Sequence, residues 1–109
     1  MKEKYPIFIK WLNAMDWILN NVELFPKSAR FTVSSRIANL TLDVAENIIE
    51  AIYTKERAHI LDKINMQLEK LRMLYRICYK RKYISSTQHE YISGVFNETG
   101  KMVGGWRKK

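Results

Sequence analysis

Apolar residues recur along the chain at spacings of three and four, the period of an amphipathic helix, in four segments separated by short polar breaks. The first segment runs from about Pro6 to Leu24, with Ile7, Trp11, Ala14, Ile18 and Val22 on one face. Proline suits its opening turn, where a backbone N–H has no intrahelical partner. Phe8, Leu12, Met15 and Leu19 form a flank beside that face, so the helix carries more apolar surface than one seam requires. The second segment, from about Thr32 to Tyr53, carries Val33, Ile37, Leu40, Val44, Ile48 and Ala51 in one stripe, widened by Leu42, Ala45, Ile49 and Ile52. The third has the most regular pattern: Leu61, Ile64, Leu68, Leu71, Tyr75 and Cys78 alternate steps of three and four, as in a coiled-coil seam. The fourth continues the pattern through Ile92, Val95, Thr99, Met102 and Trp106.

The breaks have their own chemistry. Phe25-Pro26-Lys27-Ser28 ends the first helix, because proline disfavours helical geometry in the residue before it. Thr54-Lys55-Glu56 is a weaker stop. Ser85-x-x-Gln88 reads as a capping box, in which hydroxyl and amide each satisfy a backbone N–H at the start of the fourth helix. Gly94, Gly100, Gly104 and Gly105 weaken that helix by roughly 1 kcal/mol each relative to alanine, so packing must compensate. Connections of a few residues cannot carry the chain back along a bundle, so consecutive helices are expected to be antiparallel neighbours. The expected fold is all-α, an up-down-up-down four-helix bundle occupying residues 1–109 as a single domain that folds without a cofactor.

Composition agrees with this fold class and narrows the functions. Only four glycines and two prolines occur in 109 residues, too few for the turns of a sandwich or barrel, and 47% apolar residues is too many for a disordered chain. No apolar run approaches the 20 or so residues of a membrane span. The opening Met1-Lys2-Glu3-Lys4-Tyr5-Pro6 is followed by no signal-peptide core. With a single cysteine, Cys78, no intrachain disulfide or cysteine-rich metal site can form. A reducing cytoplasm is the expected setting, with no membrane partner. Cys78 occupies an apolar helical position, where a free cysteine ordinarily behaves as a small buried hydrophobe.

Candidate catalytic groups are sparse. His59 and His89 fall on different helices, outside any Glu-x-x-His arrangement of the di-iron type, and read as surface histidines. Asp43, Glu46 and Glu50 share one helix face, which can in principle hold a hard cation but reads better as a solvated acidic face or one opposite basic neighbours. A non-enzymatic protein with no metal, no cofactor and no small-molecule substrate is the expectation.

Charge points elsewhere. The 19 Lys and Arg against 11 Asp and Glu leave +8, a field that attracts polyanions. Nine cations against three acids lie between Lys55 and Lys82. Within that stretch Arg72, Arg76 and Lys80 recur every four residues, down the side of the helix away from the apolar seam. Like charges at that spacing are mildly destabilising, so a binding role is favoured over a plain solvated face. Lys27, Arg30 and Arg36 form a second set with no acid between Glu23 and Asp43, and Arg107, Lys108 and Lys109 a third. Such residues attract phosphates without reading bases. No helix-turn-helix, aromatic RNA-binding pair or zinc finger accompanies them. The candidate contacts for nucleic acid or a polymerase are Lys27, Arg30, Arg36, Arg72, Arg76 and Lys80.

The Phe25-Pro26-Lys27-Ser28-Ala29-Arg30-Phe31-Thr32 junction resembles the accessory variability determinant (Avd) family of diversity-generating retroelements. So do the Leu68-Glu69-Lys70-Leu71-Arg72-x-Leu74-Tyr75-Arg76 run and the Glu98-Thr99-Gly100-Lys101-Met102-Val103-Gly104-Gly105-Trp106 ending. Four-helix-bundle proteins of ribosomal RNA intervening sequences share parts of this pattern and supply the alternative, a structural bundle with no polymerase partner. The resemblance implies a homopentamer of four-helix protomers that binds a reverse transcriptase and RNA or DNA and supports mutagenic retrohoming. Five copies would carry a charge of about +40. In physical terms, Phe25 and Phe31 are expected to bracket the proline corner, Gly100 and Gly104 to admit a close neighbouring helix, and Trp106 to fill a large gap.

Overall fold

The computed structural model describes residues 4–109; Met1–Glu3, part of the opening stretch read above for a signal peptide, lie outside the described residues. Four α-helices account for most of the chain: α1 Pro6–Val22, α2 Ser35–Ile52, α3 Ala58–Lys80 and α4 Ser86–Arg107. Pro6 stands in the first turn of α1, as its lack of an N–H allows. The capping box at α4 is present: the Gln88 N–H donates to Ser85 Oγ at 3.1 Å, and the Ser85 N–H donates to Gln88 Oε1 at 2.9 Å.

Each helix packs on the next and α1 also packs on α4, closing a ring of four. Contacts across the two ends establish the direction of each helix. At one end Phe25, after α1, lies 5.5 Å from Tyr83, after α3. At the other, Tyr5 lies 5.3 Å from Trp106 near the end of α4, and the Arg57 guanidinium, just before α3, sits 5.1 Å from the same indole. The helices therefore alternate up and down along a body measuring 42 × 23 × 22 Å.

The α3 seam is the axis of the core: Leu61, Ile64, Leu68, Leu71, Tyr75 and Cys78 are all buried. Aromatic rings fill the middle, with Phe96 5.9 Å from Tyr75 and 6.3 Å from Trp11. Two buried polar contacts cross the bundle. The Trp11 indole N–H donates to the Thr41 carbonyl at 3.0 Å, and the Tyr75 hydroxyl to Asn21 Oδ1 at 3.1 Å. Asn21 thus enters the core with its polar group paired, which removes most of the penalty of burying it. Burial in turn pushes the Tyr75 hydroxyl far above the ordinary phenol range.

Several details differ from the pattern read along the chain. The buried face of α4 is Ile92, Val95, Phe96, Thr99 and Val103, while Met102 and Trp106 are only half-buried. Ile92, Val95 and Thr99 of the expected line are buried, and Phe96 and Val103 join them where Met102 and Trp106 were expected to continue it. Thr99 joins the core because its hydroxyl donates to the Val95 carbonyl at 2.8 Å. The second helix does not begin as regular α-helix at Thr32: a wide turn of π geometry spans Arg30–Ser34 before α2. Phe31 does not bracket the corner with Phe25, for it is 87% exposed whereas Phe25 is buried. Among the described residues, no neighbouring atom lies near the position a side chain would take at Gly104, so no close helix approach explains that glycine.

Candidate nucleic-acid interface

Two corners at one end of the bundle assemble the candidate surface. At the first, Pro26 leads into a tight turn over Lys27–Ala29, closed by the Ala29 N–H donating to the Pro26 carbonyl at 2.9 Å. Phe25 and Ala29 are buried and anchor this turn, while Lys27, Ser28 and Arg30 between and after them are exposed. At the second corner α3 ends on a paired cap. The Tyr83 N–H reaches the Cys78 carbonyl at 2.9 Å and the Lys82 N–H the Tyr79 carbonyl at 3.0 Å. This cap requires a left-handed residue, and Lys82 adopts it with φ 64°. Glycine would take that conformation without strain, whereas an L side chain pays on the order of 1 kcal/mol. A cation is thus held where glycine would be more comfortable. Lys82→Gly is expected to raise stability by up to about 1 kcal/mol while weakening nucleic-acid binding. Denaturant unfolding and a binding titration of the same variant check the two halves.

The Phe25–Tyr83 contact joins the two corners, so Lys27 and Arg30 share an end of the molecule with Arg76, Lys80, Arg81 and Lys82. All six are exposed, and none takes part in an ion pair among the described residues. Arg36, the second residue of α2, opens onto a groove shared with Lys70 and Met73 of α3, in which Asp43 places one carboxylate. Beside the corner, Tyr79 and His89 stack with ring centroids 4.8 Å apart and planes 4° apart. His89 is accordingly half-buried, not the surface histidine expected, while His59 is exposed.

Arg72 departs from the expected stripe. Its guanidinium donates to the Phe96 carbonyl of α4 at 3.2 Å and pairs with Glu69, so it ties α3 to α4 and its charge is offset. A step of four residues overshoots a helical turn by about 40°, so a row at that spacing winds around its helix. Arg72 therefore lies on the α4 flank, while Arg76 and Lys80 have turned away from it. At Gly100 the nearest atom a Cβ would meet is Arg72 Nη2 at 3.4 Å, an ordinary contact, so no close helix approach explains this glycine either. The special conformation of Lys82 was missed by sequence reasoning, and its only signal is a helix that ends without glycine or asparagine.

Two cations elsewhere are paired. Lys10 pairs with Glu98 at 2.5 Å, and Arg107 grips Asp62 at 2.6 and 3.2 Å. Hydrogen bonds from these cations hold the Asp62 and Glu98 carboxyls below their ordinary values. What they add to stability is present at neutral pH and fades as acid protonates them through those lowered values. Arg107 is thus bound within the fold, unlike the free tail cation expected.

Groups with reactive potential are separated or shielded. Cys78 is fully buried, and burial pushes its thiol up to about 11, leaving it protonated at neutral pH. Asp43, Glu46 and Glu50 are exposed along α2. Among the described residues, no three His, Cys, Asp or Glu side chains gather as metal ligands would. Also among the described residues, no helix is long and apolar enough to cross a membrane.

Comparison with known proteins decides the lineage. The family model described as bAvd-like matches residues 5–109, which is nearly the whole chain. The chain belongs to the bAvd-like family. No curated protein matches it. Among solved structures it resembles a protein of unknown function from the S23 ribosomal protein family of Bacteroides thetaiotaomicron VPI-5482. The TM-score is 0.87 and the identity 19%, with all of both chains covered. That likeness establishes the four-helix fold that this bAvd-like chain shares with a distant sequence. The proline corner and the Gly-Gly-Trp ending, on which the resemblance to Avd proteins rests, both fall within the matched residues.

Proposed function

We propose that this bAvd-like protein is a non-enzymatic accessory factor of a diversity-generating retroelement, holding RNA or cDNA and a reverse transcriptase against a basic surface. The observation that carries the reading is the convergence of Lys27, Arg30, Arg76, Lys80, Arg81 and Lys82 on one end of a rigid bundle, from segments some 50 residues apart in sequence. Cations so placed release counterions from a phosphate backbone whatever its sequence. That property suits a cofactor of a polymerase that must follow any template. Its setting is the cytoplasm.

Self-association into a homopentamer belongs to the same proposal. Leu42 and Ile49 on α2 with Tyr53 just beyond its end, and Met66, Met73 and Ile77 on α3, are each exposed at spacings of seven and four. A second copy would cover such rows.

The test is co-purification of the tagged chain with the reverse transcriptase encoded beside it, over a range of salt. Retention at low salt with progressive loss as salt rises is expected, because electrostatic affinity falls steeply with added ions. No capture at low salt, or no such gene beside it, overturns the proposal in favour of a structural bundle of the intervening-sequence type.

A further inference from the structure

The end of the bundle away from the cationic corners holds an open cleft of about 810 Å³, within the range of about 300–1,000 Å³ typical of small-ligand sites. Three separate stretches build it: the residues leading into α1, the α2–α3 connection and the last turn of α4. Leu61, Met102 and Trp106 supply an apolar floor. Tyr5 packs against the Trp106 indole, and the Arg57 guanidinium lies 5.1 Å from that ring. Arg57 is held there by its Nε–H, which donates to the Thr54 carbonyl at 3.0 Å.

Around this floor stand Lys4, Lys55 and Lys109, with Arg107 paired to Asp62 and Glu56 the one acidic side chain among the described lining residues. The stacked Tyr5, Trp106 and Arg57 alone would serve as a staple between helix ends. A staple does not need further cations brought together from distant parts of the chain, which costs mutual repulsion. An apolar and aromatic floor beneath a cationic rim is complementary to a ligand that is itself half aromatic and half anionic.

We propose that this cleft binds a phosphorylated nucleoside, its base against the floor at Trp106 and its phosphate among the rim lysines. A free nucleotide and the phosphorylated end of a strand present the same chemistry; only the strand-end form rests on the nucleic-acid reading above. The site is distinct from the cationic corner, since Ala58 and Arg76 are separated by about 27 Å along α3.

Adenosine 5′-monophosphate is the probe, read by the indole N–H resonance of Trp106 in the full chain and assigned with Trp106→Phe. The nucleotide is expected to shift that resonance and leave buried Trp11 unmoved. Adenosine or inorganic phosphate at equal concentration should do so at least tenfold more weakly, each engaging only half of the site. Lys55→Glu with Lys109→Glu, both exposed, should weaken the nucleotide at least tenfold, whereas Arg76→Glu should leave its affinity within twofold. An oligonucleotide with a 5′-phosphate that moves Trp106 when its 5′-hydroxyl twin does not assigns the strand-end form, and the mononucleotide acting alone assigns the free form. A Trp106 resonance that stays still at millimolar nucleotide, or responds equally to phosphate, overturns the proposal. Duplex binding lost through Arg76→Glu would still support the separate corner surface.

Discussion

A triple variant carrying Arg30→Glu, Arg76→Glu and Lys80→Glu is expected to bind duplex nucleic acid far more weakly at low salt while keeping its helical content. All three side chains are exposed, so nothing in the core registers their loss. Each phosphate contact removed should make the slope of log affinity against log salt shallower by about 0.9, so the slope should flatten by about 2.7 if all three engage. Arg72→Ala is the informative contrast. Its guanidinium is held by Glu69 and the Phe96 carbonyl, so that variant should lower stability and leave the salt slope nearly unchanged. Filter binding or fluorescence anisotropy across a salt series distinguishes them. A triple variant with the wild-type slope would remove the interface from this end of the bundle.

Phe96→Ala is expected to cost about 3–5 kcal/mol, a large part of the 5–15 kcal/mol that holds a domain of this size folded. Phe96 has no exposed surface and lies between Trp11 and Tyr75, so its removal leaves a void lined by rings that rigid neighbours cannot collapse to fill. The thermal midpoint should fall by about 15 °C or more. Phe31→Ala makes the control: its ring is 87% exposed, and at concentrations where the chain is monomeric the change should stay within about 0.5 kcal/mol. Equal losses at the two positions, by denaturant unfolding, would mean that the Phe31 ring is packed as firmly as Phe96.

Much of this fold is legible along the chain. The α3 seam from Leu61 to Cys78 is buried at every position the spacing picks out, because a helix places residues three and four apart on one side whatever surrounds it. The same holds for the capping box at Ser85 and Gln88, whose partners are three residues apart. The buried line of α4 was harder to place, because Val95 and Phe96 are adjacent and both apolar, and both are buried. Only the facing helices decide that the line continues to Val103.

Four cations of the proposed corner were legible in the sequence, Arg81 and Lys82 were not among the expected contacts, and the grouping was not legible at all. Local chemistry names Lys27, Arg30, Arg76 and Lys80 as unbalanced cations, but no property of the chain between them says they share an end. The Phe25–Tyr83 contact does that. Conversely, Arg72 carries the same charge and spacing as Arg76 and Lys80, and only the presence of a carbonyl on the adjoining helix turns it into a structural tie.

The sequence by itself determined four helices, their order and the inward faces of the first three, since periodicity and capping depend on residues within one or two turns of each other. Tertiary structure alone decided which cations stay available, that Phe31 faces outward, and that Tyr5, Arg57 and Trp106 meet around one cleft. Those outcomes depend on groups distant along the chain coming within a few ångströms, and a side chain's partners are set by packing that no local pattern encodes.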